Sequence, residues 1–211
     1  IDMGGQVLLY KKKVWNIYDA DEKCDVERGL RYGENPDQAA AMYELVNGNI
    51  VLGDVSFFDA SDGLTSRVTE KDMLQVGKHP GKINLTDVDN ALNILKFLDK
   101  KPACAILKHN NPCGAACGST PEEAFEKAFW CDRIAAFGGA VVFSRKIDVE
   151  TAKAMVPYYF EVVCAPDFDG AAIDILKKWK NLRILQINAI ERLHEYKFKR
   201  FIDIKSLMDG G

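Results

Sequence analysis

Ala103-Cys104-Ala105-Ile106-Leu107, Thr120-Pro121-Glu122-Glu123-Ala124-Phe125-Glu126-Lys127-Ala128-Phe129-Trp130-Cys131 and Ala140-Val141-Val142-Phe143 decide the fold. The first and third are short unbroken apolar runs, which suit strands buried on both faces. Between them Thr120 offers a hydroxyl to cap free amides, Pro121 takes the first helical position, and Glu123 falls three residues after the threonine. A helix is therefore predicted from here to about Cys131. Toward the carboxyl end, Asp148 starts a helix through about Val156, Val162 to Ala165 is a buried strand, Asp169 to Lys178 a helix and Leu182 to Ile187 a strand. Toward the amino end, Val88, Ala91, Leu92, Leu95 and Leu98 recur at the spacing of a helix with one buried face, beginning at Asp87. Strand and helix alternate in crossover-length units. The predicted class is α/β, a mostly parallel sheet with helices on both faces.

Ligands of such sheets sit outside the carboxyl ends of strands, which directs attention to the residues after Leu107, to Phe137 to Gly139 and to Glu161 to Pro166. Farther upstream, Ala39 to Val46 and Ile50 to Leu52 read as strands about an Asn47-Gly48 turn. Ser61 to Gly81 is polar and reads as a loop. Residues 1–30 hold a short apolar piece, Val7 to Tyr10, then Lys11, Lys12 and Lys13 and an acidic run around Asp19 to Asp25. They are expected to be a linker or the remnant of a preceding domain.

Composition narrows the functional classes. The 211 residues carry 28 Lys plus Arg against 31 Asp plus Glu, a formal charge of -3, and 47% are hydrophobic. This is the balance of an ordinary globular chain, against disorder or coiled coil. A pI near 5.7 argues against a phosphate-neutralising nucleic-acid binder. The longest apolar stretch, Ile134 to Phe143, is about half of the roughly 20 residues that a membrane span needs. Cys24, Cys104, Cys113, Cys117, Cys131 and Cys164 are scattered through a chain too long to need stapling, so reduced thiols and a cytoplasmic location are expected. The sequence opens at Ile1, and its ends are not expected to be natural ends.

Four constellations can carry chemistry. Lys108-His109-Asn110-Asn111-Pro112-Cys113-Gly114 follows an apolar strand. A neutral imidazole there takes a proton from a weak nucleophile, while the neighbouring ammonium stabilises an oxyanion or protonates a leaving nitrogen. The other reading is a solvated lysine and a turn histidine, with Asn111, Pro112 and Gly114 as loop punctuation. Arg31-Tyr32-Gly33-Glu34-Asn35-Pro36 offers a guanidinium fork for phosphate beside a glycine turn, or only a turn. Phe137-Gly138-Gly139 sets an aromatic face beside unobstructed backbone, which suits a flat heterocycle or simply stops a helix. Glu161, just before an apolar strand, can accept hydrogen bonds from sugar hydroxyls or be a strand-edge charge. Zinc is not expected: deaminases show H-x-E and P-C-x-x-C, whereas Pro112-Cys113-Gly114-Ala115-Ala116-Cys117 is one residue too long and no His heads an H-x-E.

R-Y-G-E-N-P at 31–36, K-H-N-N-P-C-G at 108–114, A-F-G-G at 136–139 and E-V-V-C-A-P at 161–166 together resemble, in order and spacing, the AICAR transformylase family, phosphoribosylaminoimidazolecarboxamide formyltransferase. That family is commonly joined to IMP cyclohydrolase in one bifunctional purine enzyme. The resemblance implies a cytidine deaminase-like fold present twice in the complete transformylase, with the first copy at 31–205 here and 206–211 leading toward the second. It implies formyl transfer from 10-formyltetrahydrofolate, a co-substrate, to the amine of AICAR, in a homodimer whose subunits share sites. It leaves room for a monovalent cation and implies no zinc, nucleic acid or membrane partner. By motif, His109 would be the general base and Lys108 would assist at the formyl group. Arg31 and Tyr32 would contact nucleotide in a partner's site, Phe137 and Gly138 would flank the base, and Glu161 would approach the ribose. Asp37 stands where the family carries histidine in N-P-H-Q, the polar stretch 61–81 is longer than the family's, and Ile1 to Gly5 resemble a piece of the cyclohydrolase. The rivals are a deaminase of similar fold, with zinc or as a zinc-independent relative of nucleoside deaminases, and a non-catalytic nucleotide-binding or dimerisation half.

Overall fold

A computed structural model describes residues 2–19, 22–59, 63–202 and 207–209. Ile1, Ala20 and Asp21 of the expected amino-terminal linker, Ser61 and Asp62 of the expected loop, and Ser206, Gly210 and Gly211 of the expected connection lie outside these. In chain order the strands begin with β1 (Asp2–Met3), β2 (Gln6–Lys13), β3 (Trp15–Asp19), β4 (Cys24–Arg28), β5 (Met42–Gly48), β6 (Val51–Leu52), β7 (Val55–Ser56) and β8 (Met73–Gln75). Helix α1 (Lys82–Leu95) follows, then β9 (Ala103–Lys108), β10 (Asn111–Cys117), α2 (Pro121–Cys131) and β11 (Ala140–Phe143). The chain continues through α3 (Val149–Met155), β12 (Val162–Ala165), α4 (Gly170–Leu176), β13 (Arg183–Gln186) and a 3-10 helical segment, Asn188–Tyr196.

The centre is a six-stranded sheet in the order β10-β9-β11-β12-β13-β8. Its pairings send β10, β11, β12 and β13 one way and β9 and β8 the other. The predicted α/β class and prevailing strand direction are borne out, although β9 enters antiparallel to both neighbours. Alternate strand residues face opposite ways. Cys104, Ile106, Val141, Phe143, Val163 and Ile184 pack with α2, α3 and α4, while Ala103, Ala105, Leu107, Val142, Cys164 and Leu185 pack with α1 and Trp15. Helices thus cover both faces. None among the described residues is long and apolar enough to cross a membrane.

Three expectations fail for identifiable reasons, the first being the loop at Ser61 to Gly81, whose Met73–Gln75 is drawn into the central sheet as edge strand β8 by pairing with β13. The described part of residues 1–30, expected to be a linker or the remnant of a preceding domain, forms four strands. β2 pairs along β5, and the fully buried Trp15 donates its indole N–H to the Val68 carbonyl at 3.0 Å. The Asn47-Gly48 turn does not form: Gly48 ends β5 opposite Leu8, whose side chain occupies the space that a Cβ would need, 2.6 Å away. Short-range turn chemistry lost there to a long-range strand partner. Asn111, Pro112 and Gly114, expected to support a loop, lie on edge strand β10, where Pro112 forfeits no essential donor. Gly114 lets it lie against α2, because a Cβ would stand 2.0 Å from the Ala128 carbonyl oxygen.

The predicted cap of α2 is present. Thr120 Oγ accepts the Glu123 amide at 3.1 Å, while the Glu123 carboxylate reaches the Ser119 amide and hydroxyl at 2.6 and 2.5 Å and pairs with Lys127 at 2.7 Å. The Lys127 hydrogen bond first, then the Ser119 contacts, pull this carboxyl down to about 2. A depressed carboxylate stabilises the fold above its unfolded value of 4.5, and that contribution is lost as pH falls from 4.5 through about 2. Glu123→Gln is therefore expected to flatten the fall in urea midpoint over that window, followed by circular dichroism. An unchanged acid profile would remove this cap from the acid response.

Candidate active site

Antiparallel entry of β9 gathers the candidate groups. Leu107, Ala140, Val162 and Arg183 are successive partners across the sheet. One edge therefore joins the carboxyl end of β9 to the amino ends of β11, β12 and β13. Lys108, Phe137 to Gly139 and Glu161 lie along it, whereas Pro166 follows β12 at the opposite edge. The expectation of strand carboxyl ends holds for β9 alone.

Lys108 Nζ donates to the Phe137 carbonyl at 2.7 Å, tying the first motif to the third. Gly138, at φ 75°, occupies the left-handed region, and its amide donates to the Tyr159 carbonyl at 2.9 Å. The Phe137 ring, 62% exposed, stands 5.3 Å from that of Tyr159. An open aromatic face beside backbone unobstructed by side chains can take a planar ring.

His109 and Asn110 form the two-residue turn between β9 and β10, with Lys108 opposite Asn111 and φ of 51° and 63°. Two left-handed central residues define a type I′ hairpin, normally Asn-Gly. A histidine there costs on the order of 1–3 kcal/mol, which its surroundings must hold in place. The Asp87 carboxylate accepts the His109 amide at 3.2 Å and the Asn110 amide at 2.6 Å. Asn111 Nδ2 donates to the His109 carbonyl at 2.8 Å and Asn90 Nδ2 to Asn110 Oδ1 at 2.9 Å. Burial pushes the Asp87 carboxyl up, and the two amides and the imidazole draw it back.

Arg31 and Tyr32 reach the same edge through backbone. The Arg31 amide donates to the Pro80 carbonyl at 3.0 Å, the Lys82 amide donates to the Tyr32 carbonyl at 2.9 Å, and His79 Nε2 contacts the Gly29 carbonyl at 2.6 Å. Gly81 leaves room for the Tyr32 ring, whose Cε2 would be 3.2 Å from a Cβ. The Arg31 guanidinium lies 5.2 Å from that ring's centre. Glu161 is held from two sides: Asn84 Nδ2 donates at 3.0 Å and Arg183 Nη1 pairs at 3.3 Å, with Arg183 only 3% exposed against 37% for the carboxylate side chain. Burial lowers the Arg183 pKa, opposed by Glu161 and the nearby Tyr32. Among the described residues the Arg183 Nε has no hydrogen-bond partner.

All four motifs therefore converge. The arrangement offers phosphate a guanidinium, a planar ring an aromatic face, and a reacting proton an exposed imidazole. Sequence reading missed Asn84, Asp87 and Arg183. The apolar spacing places the helix start at Asp87, but α1 begins at Lys82, with Asn84 Oδ1 accepting the Gly81 amide at 3.0 Å. Arg183 had a legible signal, a charge opening an otherwise apolar strand. Among the described residues, no three His, Cys, Asp or Glu side chains form a metal-binding group.

Residues 8–210 match the family described as AICARFT/IMPCHase bienzyme. The chain belongs to that family. Among its relatives are bifunctional purine biosynthesis proteins PurH. That of Persephonella marina is 43% identical over 79% of this chain and 29% of its own length, and that of Aquifex aeolicus 36% identical over 94% and 35%. The chain thus spans about a third of these relatives. Two solved structures are similar over parts of the chain. A cyanophage S-TIM5 dCMP deaminase has a TM-score of 0.39 and 9% identity over 47% of this chain and 95% of its own. Acinetobacter baumannii RibD has a TM-score of 0.40 and 15% identity over 53% and 39%.

Proposed function

We propose that this chain is the first part of the transformylase half of a bifunctional purine biosynthesis enzyme, transferring a formyl group from 10-formyltetrahydrofolate to the amine of AICAR to give FAICAR and tetrahydrofolate. The observation that carries the reading is the meeting of Lys108-His109 with Phe137 to Gly139 and Glu161 at one sheet edge. AICAR's amine lone pair is delocalised into its ring and carboxamide, so attack needs proton removal as the bond forms. His109 accepts that proton. The amine nitrogen bonds to the formyl carbon, the bond from that carbon to folate N10 breaks, and N10 takes a proton on leaving. The Lys108 ammonium, held beside the ring site by the Phe137 carbonyl, stabilises the oxyanion formed between these events. Phe137 and Gly138 take the base and Glu161 the ribose, while Arg31 and Tyr32 contact the nucleotide in a partner's site. The second copy of the fold, outside this chain, supplies much of the folate site, and the assembly is a cytoplasmic homodimer with shared sites.

Tetrahydrofolate release by the full-length protein tests this, with AICAR and 10-formyltetrahydrofolate supplied. Lys108→Met is expected to lower AICAR-dependent release about tenfold, through loss of one charged hydrogen-bond donor. Release that ignores AICAR, or that survives this substitution intact, would overturn the reading.

A further inference from the structure

We infer that Asp87 is a positioning residue for the reaction: its carboxylate, inside α1, holds the strained His109-Asn110 turn in the conformation from which the imidazole works. The inference rests on the transformylase reading for what the imidazole does, and on geometry alone for how it is held.

Asp87 is 4% exposed, yet both its oxygens point at the β9–β10 turn, each accepting one amide. Those amides belong to the two residues with left-handed backbones, and neither is the glycine that such a turn favours. A carboxylate is suited to this task because it is acceptor-only, so it satisfies two adjacent N–H groups at once. The turn's other polar contacts come from Asn111 and Asn90, while among the described residues no hydrogen bond fixes the His109 ring. The direction of the imidazole is therefore set by its backbone, and that backbone by Asp87. Asn84, one turn earlier on the same helix, does the corresponding work for Glu161. Helix α1 thus carries two buried polar side chains that serve two parts of one site.

Asp87→Asn separates positioning from packing. The carboxamide keeps the volume but turns one acceptor into a donor facing an amide that is itself a donor. In the full-length protein this substitution is expected to lower kcat for formyl transfer about tenfold while KM for AICAR stays within about twofold. Adding Asn110→Gly, which supplies the residue the turn favours, is expected to restore most of kcat in the Asp87→Asn protein. Rescue shows the variant folded and the turn limiting. An unchanged kcat in Asp87→Asn, or a loss that Asn110→Gly does not repair, overturns the inference. Amide exchange at His109 and Asn110, measured on the same samples, reads the turn whether or not the protein transfers formyl. Faster exchange in Asp87→Asn supports the carboxylate's hold, and unchanged exchange overturns it. A wild-type protein without AICAR-dependent turnover but with the exchange difference would refute the transformylase reading alone.

Discussion

Replacing His109 by alanine in the full-length protein is expected to lower formyl transfer by about 10²- to 10⁴-fold, the range for losing a positioned general base. The loss should appear in kcat, because the imidazole acts on the proton that leaves as the new bond forms, not on the bound nucleotide. Stability should change little. The side chain is exposed, and among the described residues its ring makes no hydrogen bond. Alanine also suffers the left-handed backbone that histidine already accepts there, so the turn loses only its functional group. Steady-state rates of tetrahydrofolate release decide the matter. Unchanged turnover would remove His109 from the chemistry and leave it a turn residue.

The second large effect belongs to Glu161. A hydrogen bond donated by a sugar hydroxyl to a carboxylate is worth roughly 1.5–3 kcal/mol, so Glu161→Gln is expected to raise KM for AICAR about 10- to 100-fold with kcat nearly held. The carboxamide retains an oxygen that accepts from Arg183 and Asn84, but the buried guanidinium loses its counter-charge, so some loss of stability accompanies the substitution. The split between KM and kcat distinguishes ribose binding from a structural counter-ion. If KM stays put while the melting temperature falls, Glu161 serves Arg183 and not the nucleotide.

The parts of this molecule legible in sequence are those governed by local physics. Apolar runs at 103–107, 140–143 and 162–165 became core strands because nothing competes with their burial, and Thr120-Pro121-x-Glu123 began a helix because capping involves neighbours only. What escaped depended on distant partners. Gly48 reads as a turn residue until Leu8 is seen lying across it, and the lysine-rich β2 looks like a solvated tail until β5 pairs with it. The site shows the same division. Lys108, His109, Phe137, Gly138 and Glu161 stand at the ends of recognisable strands, so their chemistry could be read where they occur. Asp87, Asn84 and Arg183 act through residues 22 to 77 positions away, and only tertiary packing brings them into contact. The antiparallel entry of β9, which places strand beginnings and a strand end along one edge, has no local signature at all.

The most direct test of the account measures two rates in one preparation of the full-length His109→Ala protein: tetrahydrofolate release with AICAR and 10-formyltetrahydrofolate, and ring closure of FAICAR to IMP. The account predicts that formyl transfer collapses while ring closure proceeds at the wild-type rate, because this chain lies in the transformylase half. Ring closure lost with formyl transfer intact would contradict it and assign these residues to the cyclohydrolase.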